Sequence, residues 1–311
     1  MFSEFIFEEA PFASAHASTI AETAEGLIAA WFGGPHEGHP QVRIWLSRKV
    51  DAQWSAPVEV ARGADRRGRP RPCWNPVLHQ AANGPLLLFY KVGPSPRRWW
   101  GMLRTSSDGG HTWSADRRLP RGILGPIKNK PVVLGDGSLL CPSSTEHLAW
   151  RAHLERTADL GESWERLGPL NAQRAFGAIQ PCILTYPDGR MQVLCRTRQR
   201  VIAACWSTDG GRSWGPMHST SLPNPDSGID AVSLHDGRAL LVYNPSQDAR
   251  SPLCLAVSSD GRSWRNALVL EDGIGEYSYP AIIQAANGSL HLTYTWNRRR
   301  IRYVRLSPNE A

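Results

Sequence analysis

Apolar and polar residues alternate along this chain in runs of strand length, and the runs come in pairs. Each pair is split by a Gly-containing turn: residues 16–32 around Ala24-Glu25-Gly26, 74–92 around Ala82-Asn83-Gly84, 130–143 around Gly135-Asp136-Gly137, 180–196 around Pro187-Asp188-Gly189, 229–244 around His235-Asp236-Gly237, and 279–296 around Ala286-Asn287-Gly288. Alternation on both sides of a tight turn predicts antiparallel hairpins. No long stretch carries the 3.6-residue spacing of an amphipathic helix, so the expected class is all-β.

A second motif follows four of these pairs. It reads Ser106-Ser107-Asp108-Gly109-Gly110-His111-Thr112-Trp113, Thr157-Ala158-Asp159-Leu160-Gly161-Glu162-Ser163-Trp164, Ser207-Thr208-Asp209-Gly210-Gly211-Arg212-Ser213-Trp214 and, one residue shorter, Ser258-Ser259-Asp260-Gly261-Arg262-Ser263-Trp264. The Asp carboxylate can accept backbone N–H groups, the Gly takes a positive φ, and the Trp has the apolar area to pin the turn on a neighbouring sheet. These turns join a third strand to a short fourth one, giving a repeat of about 50 residues, the size of a four-stranded propeller blade. Six repeats predict a six-bladed β-propeller of four-stranded antiparallel blades, with residues 1–311 forming one domain. The sixth repeat supplies only three strands, so residues 4–8 are expected to pair with residues 300–306 and close the ring.

Composition changes this picture little. The net charge of +7 comes from dispersed arginines, with Arg97-Arg98 and Arg298-Arg299-Arg300 as short runs, so a solvated basic surface is expected and nucleic acid is not. The six cysteines, Cys73, Cys141, Cys182, Cys195, Cys205 and Cys254, lack metal-ligand spacing and sit in apolar strands. Free buried thiols, no disulfide, no metal and no cofactor are the expectation. No run has the length of a signal peptide's apolar core or a membrane span, which predicts a cytoplasmic protein with no membrane partner.

In a blade of four antiparallel strands, the start of the first strand and the end of the second lie on one face of the ring, and the Asp/Trp turns lie on the other. Trp113, Trp164, Trp214 and Trp264 are therefore expected to be largely buried, structural, and remote from any site. The first face collects His16, Asn75, Lys91, Lys128-Asn129-Lys130, Glu146, Gln180, Arg196, Arg198, Asp230, Asn244, Glu276, Tyr277 and Tyr279, with Glu37 and Arg250 on the loops after the second strands. Convergence of so many polar groups from separate repeats marks this face as the place for chemistry.

The Asp/Trp turns match the Asp box, and across essentially its whole length the chain resembles the sialidase (neuraminidase) superfamily, in its branch of sialidase-like proteins with Asp-box (BNR) repeats. That resemblance implies a six-bladed propeller, three arginines on a substrate carboxylate, a tyrosine nucleophile assisted by a glutamate, and an aspartate acid/base. By motif, Arg196 matches the second arginine, Arg250 the third, and Tyr277 the nucleophile. The chain departs from the pattern where His16 stands at the first arginine's place, where Gln180 stands at the glutamate's, and where Glu37, in His36-Glu37-Gly38-His39, is the nearest equivalent of the acid/base.

The expected catalytic set is Tyr277, His16 and Glu37, with Arg196, Arg250, Gln180, Asn75, Lys130, Asp230 and Arg198 binding the substrate. An acidic oligosaccharide or glycoconjugate is the expected partner, and hydrolysis at a terminal acidic sugar the expected reaction. His16 keeps open a second chemistry, cleavage of rhamnose-glucuronate linkages by hydrolysis or elimination, and Gln180 keeps open a non-catalytic glycan-binding role.

Overall fold

The paired apolar runs form the inner two strands of each of six antiparallel sheets in the computed structural model, which describes residues 1–172 and 175–310. The innermost strands are Ser14–Thr23, Cys73–Gln80, Val132–Val133, Ala178–Thr185, Asp230–Ser233 and Tyr277–Gln284, and they define blades 1 to 6 around one axis. Five of the blades have four strands, and blade 1 adds a fifth, Val58–Ala61, beside Arg43–Val50. Between blades, apolar faces interdigitate, as where Val77, Leu87 and Phe89 of blade 2 meet Leu139 and Cys141 of blade 3. Among the described residues the only helical turn is Pro308–Glu310, no helix is long and apolar enough to cross a membrane, and all six cysteines are buried free thiols.

The ring closes through the N-terminus. Phe2–Phe5 pairs antiparallel with the third strand of blade 6, Arg300–Leu306, in the register Phe2↔Arg305 to Phe5↔Arg302. The closing strand begins two residues earlier than the 4–8 segment expected from sequence, because Ile6 and Phe7 turn inward. Phe7 stacks on the buried Trp31 at 5.0 Å, which pulls the chain off the sheet edge. Arg300 and Arg302 lie over the Phe5 ring at 4.6 and 4.5 Å, so the seam is fastened by cation–π contacts as well as by its ladder.

Each Asp/Trp turn is a small hydrogen-bonded knot. Asp209 accepts from the backbone N–H of Arg212 and Ser213 and from the hydroxyls of Ser207 and Ser213, which pulls its carboxyl well below the usual range. Asp159 and Asp260 sit in the same arrangement, and hydrogen bonds bring both down to about 2. Every knot docks on the preceding blade: Arg48 of blade 1 donates to Gly110 O, Arg117 of blade 2 to Leu160 O, and Gln192 of blade 4 to Gly261 O. Trp113, Trp164, Trp214 and Trp264 are largely but not fully buried, as expected, each packed against a core cluster from its rim. They do lie opposite the candidate site, since Ser207 pairs with Met191 at one end of blade 4 and Arg196 with Ile202 at the other.

One local irregularity positions the site. In blades 1, 2, 4 and 6 the inner hairpin skips register at the same place, and Ala17, Asn75, Gln180 and Tyr279 take φ of 55°, 36°, 51° and 52°. In three of the four a proline follows, Pro76, Pro181 or Pro280. The bulge opposes two residues to one and breaks the alternation of faces, which re-aims a side chain toward the axis. A left-handed conformation at a residue other than Gly costs roughly 1–3 kcal/mol, so the surroundings must hold each of them in place.

Two consequences are measurable. Trp214→Ala should lower stability by about 3 kcal/mol, the low end of the cost of truncating a buried Trp because its ring is not fully buried, and leave ligand binding unchanged; chemical denaturation beside a binding assay checks both. His79 and His291 are held down to about 4, mainly by burial. The unfolded chain binds protons on them near 6.5 and the folded one does not, so stability falls as pH drops from about 6.5 toward 4. The depressed Asp carboxylates add a further loss only below about 4, as they protonate. Unfolding temperature against pH should therefore decline in two stages.

Candidate active site

The bulge of blade 6 puts Tyr279 at the centre. Arg196, which ends the second strand of blade 4, donates through Nη1 to the Tyr279 hydroxyl oxygen at 2.7 Å and to Gln180 Oε1 at 3.1 Å. Its guanidinium also holds Asp226 through Nε at 2.9 Å and Nη2 at 2.7 Å. Burial alone would lower the Arg196 pKa, but Tyr279 and the Asp226 carboxylate keep it above its ordinary value. Arg250 lies with its guanidinium carbon 5.6 Å from the Tyr279 ring centre, and Lys128 Nζ lies 6.0 Å from it. One phenol thus has three cations about it, from blades 3, 4 and 5.

His16 completes the ring of neighbours from blade 1. Its imidazole centre is 4.2 Å from that of Tyr279, and its Nδ1 shares a 3.0 Å hydrogen bond with Thr295 Oγ1 of blade 6. Burial pushes its pKa well below 6.5, and Arg298, Arg250, Arg196 and Lys128 push it the same way. Burial and these four cations favour the neutral imidazole, the form of His16 that can accept a proton.

Carboxylates bind the remaining arginines. Glu276 accepts from Arg250 Nη1 at 2.8 Å and from Arg298 Nε at 2.9 Å. Burial would raise its pKa, but the two arginines and Ser278 hold it below the usual range. Glu37, on the loop after the second strand of blade 1, bonds the other end of the Arg298 fork. Arg298 was not singled out from sequence, where it sat inside a basic run read as solvated surface. Its place in the tight turn 297–299 at the axial end of blade 6 was the available signal, since that turn carries it to blade 1, where Ala15 N donates to Arg298 O at 2.9 Å.

Other expected residues fall elsewhere. Tyr277 is buried in the apolar core between blades 5 and 6 with its ring beside Trp296, and its backbone N–H donates to Arg250 O at 2.9 Å; two residues earlier than Tyr279, it lies on the far side of the bulge. Lys130 and Asp230 bond each other at 2.9 Å, Lys130 also donates to Ala231 O, and Asp230 also accepts from Ile282 N. That stitches blades 3, 5 and 6 together. Asn75 occupies the bulge position of blade 2 and is buried. Arg198 stays at the rim, stacked on Trp150 at 4.6 Å, with Arg196 against the same indole at 5.1 Å. Glu146 lies near both arginines, yet burial still raises its pKa. Among the described residues no cluster of His, Cys, Asp and Glu is arranged to hold a metal ion.

Comparison with known proteins agrees with this architecture. Residues 25–292 match the family model of the BNR repeat-like domain. No curated protein matches the chain. Among solved structures, a protein of unknown function from Dyadobacter fermentans superposes with a TM-score of 0.81 at 16% identity, covering 98% of this chain and 97% of that one. The Hadza microbial sialidase Hz136 gives 0.79 at 17% identity, over 95% of this chain and 66% of that one. The NanB sialidase of Streptococcus pneumoniae gives 0.79 at 12% identity, over 99% and 71%. At such identities the likeness is one of fold. With most of its length inside the family match, the chain belongs to the BNR repeat-like proteins, built on the propeller that the solved sialidases share.

Proposed function

We propose that this propeller is a carbohydrate-active enzyme that grips the carboxylate of a terminal acidic sugar, sialic acid or a related acid, and hydrolyses the bond to it. The observation that carries the reading is the 2.7 Å bond from Arg196 to the Tyr279 hydroxyl, in a cluster that Arg250, Arg298 and Lys128 complete from other blades. A guanidinium fork matches a carboxylate in shape and charge. Asp226 and Glu276 already occupy such forks, so they act as internal stand-ins that a substrate carboxylate would replace.

In this reading Tyr279 is the nucleophile, in place of Tyr277. A charged donor on the phenolic oxygen stabilises the phenolate, doing part of the work a general base would do, and Gln180 serves to orient Arg196. Once the phenol has lost its proton to solvent, the phenolate attacks the anomeric carbon, the bond to the leaving oxygen breaks, and Glu37 in its protonated form supplies the proton that oxygen needs. Water then attacks the tyrosyl sugar, returning a proton to Glu37 and the electron pair to Tyr279. Gln180, which is not a base, favours one rival: a propeller that binds the acidic sugar and leaves the bond intact.

The test is a panel of sialosides and uronate-containing glycans, with turnover and binding both measured. Arg250→Lys keeps the charge and removes the fork, and should lower kcat/KM by about ten- to a hundredfold. Tyr279→Phe should abolish turnover and retain binding, and Tyr277→Phe should leave both near wild type. Saturable binding of acidic sugars with no turnover would establish the rival reading, and equal handling of neutral glycans would remove the carboxylate assignment.

A further inference from the structure

Away from the axis, a groove of about 720 Å³ runs between blades 2 and 3. Arg118 and Arg121 stand on one wall, in the outer segment of blade 2, and Arg166 on the other, in the outer strand of blade 3. Arg66 and His147 close its ends, and Trp100 lies along it with the Arg118 guanidinium 4.6 Å from its ring centre. None of these four arginines has a carboxylate partner among the described residues, and no acidic residue lines the groove. On a surface where most arginines are paired, such a concentration is electrostatically unfavourable: burial, and after it Arg66, hold the Arg118 guanidinium below its ordinary value.

The walls are built to stay in place. The buried Glu155 carboxylate accepts from Leu124 N at 3.1 Å and Gly125 N at 2.6 Å, and also meets His153 and Ser143. Leu119 N donates to Gly101 O, which pins the other end of the segment carrying Arg121. A rigid groove with like charges already gathered binds an anion without having to assemble its donors. Its volume suits a short oligosaccharide and is far too small for a nucleic-acid duplex.

We propose that this groove binds the anionic groups, sulfate or carboxylate, of an acidic glycan chain, at a site separate from the axial one. Guanidinium groups supply charged hydrogen bonds to either oxyanion, and Trp100, packed on the core, holds the Arg118 guanidinium in place. The loop 145–150 joins the two sites, with Thr145 and His147 on the groove and Glu146 beside Arg196 and Arg198. A chain could therefore be held at the groove whether or not its end reaches the axis, so the proposal stands apart from the catalytic reading.

Calorimetry with a heparin-derived hexasaccharide, a hexagalacturonate and maltohexaose tests it. At least one acidic hexasaccharide should bind wild type, with affinity falling roughly tenfold or more as salt is raised from low to several hundred millimolar, and maltohexaose should not bind. Binding of the heparin fragment alone assigns the groove to sulfate, and binding of hexagalacturonate assigns it to carboxylate. Arg118→Ala/Arg121→Ala should weaken that binding at least tenfold at an unchanged unfolding temperature, and Arg196→Ala, in the axial site, should leave it within a few-fold. Absence of binding by both acidic chains, equal binding by the double variant, loss with Arg196→Ala only, or tighter binding of a single-stranded oligonucleotide would each overturn the proposal.

Discussion

Closure of the ring by Phe2–Phe5 is the constraint on which the rest depends. Blade 6 has three strands of its own, and without the N-terminal strand Arg300–Leu306 would present an open edge. With it, blade 6 is held as a full sheet against blade 1. Ala15 can then bond Arg298 O, His16 can bond Thr295, and the His16 ring can lie on Tyr279. The two ends of the chain thus hold up the two sides of the candidate site. A defect at the seam would disorganise the axis before it disturbed blades 3 and 4.

The axis is fastened by buried polar bonds rather than by apolar packing. Lys128 Nζ donates to Asn129 Oδ1, Ile229 O and Pro280 O, and Asn129 Nδ2 donates to Gln180 O and Pro181 O. Residues from blade 3 therefore tie the inner strands of blades 4, 5 and 6, at the bulges that carry Gln180 and Tyr279. A left-handed Tyr or Gln persists only where its surroundings outweigh the strain, and these bonds to the neighbouring carbonyls are those surroundings. Burial brings the Lys128 pKa down to about 8, still above neutrality, so the ammonium keeps its charge there. The price of burying that charge is offset by three acceptors.

The architecture was legible because each blade repeats the same alternation and the same punctuation, and a repeat reports six times on one fold. The site was legible in part: His16, Glu37, Gln180, Arg196 and Arg250 do gather around the axial end of the ring. Tyr277 was chosen over Tyr279 although strict alternation gives both the same face. The register skip between Ser278 and Ala281 separates them, sending one to the core and the other to the axis. Pro280 carried that information, since Pro76 and Pro181 follow the other bulged residues Asn75 and Gln180, and a proline inside an inner strand marks a broken ladder. The state of His16 had no such signal. It depends on Arg298, Arg250, Arg196 and Lys128 arriving from four different blades, a sum that only the folded ring performs.

That sum also bears on what the axis can bind. Around His16 stand four cations, Arg196, Arg250, Arg298 and Lys128, and the carboxylates bonded to the arginines are three, Asp226, Glu276 and Glu37. Glu276 is shared between two arginines, and Lys128 bonds two carbonyls and an amide, with the Asp230 carboxylate near enough to favour its charge. Lys130 and Asp230, further along the axis, cancel each other. His16 and Lys128 are buried, whereas Arg250, Glu276, Arg298 and Glu37 keep a quarter or more of their side chains in solvent, so the cluster is partly screened on its outer side. Any carboxylate that takes one of these guanidinium groups must displace the one already there, Asp226 from Arg196 or Glu276 from Arg250 and Arg298. The axis thus differs from the groove between blades 2 and 3 in one respect: its arginines already hold carboxylates, whereas no acidic residue lines the groove.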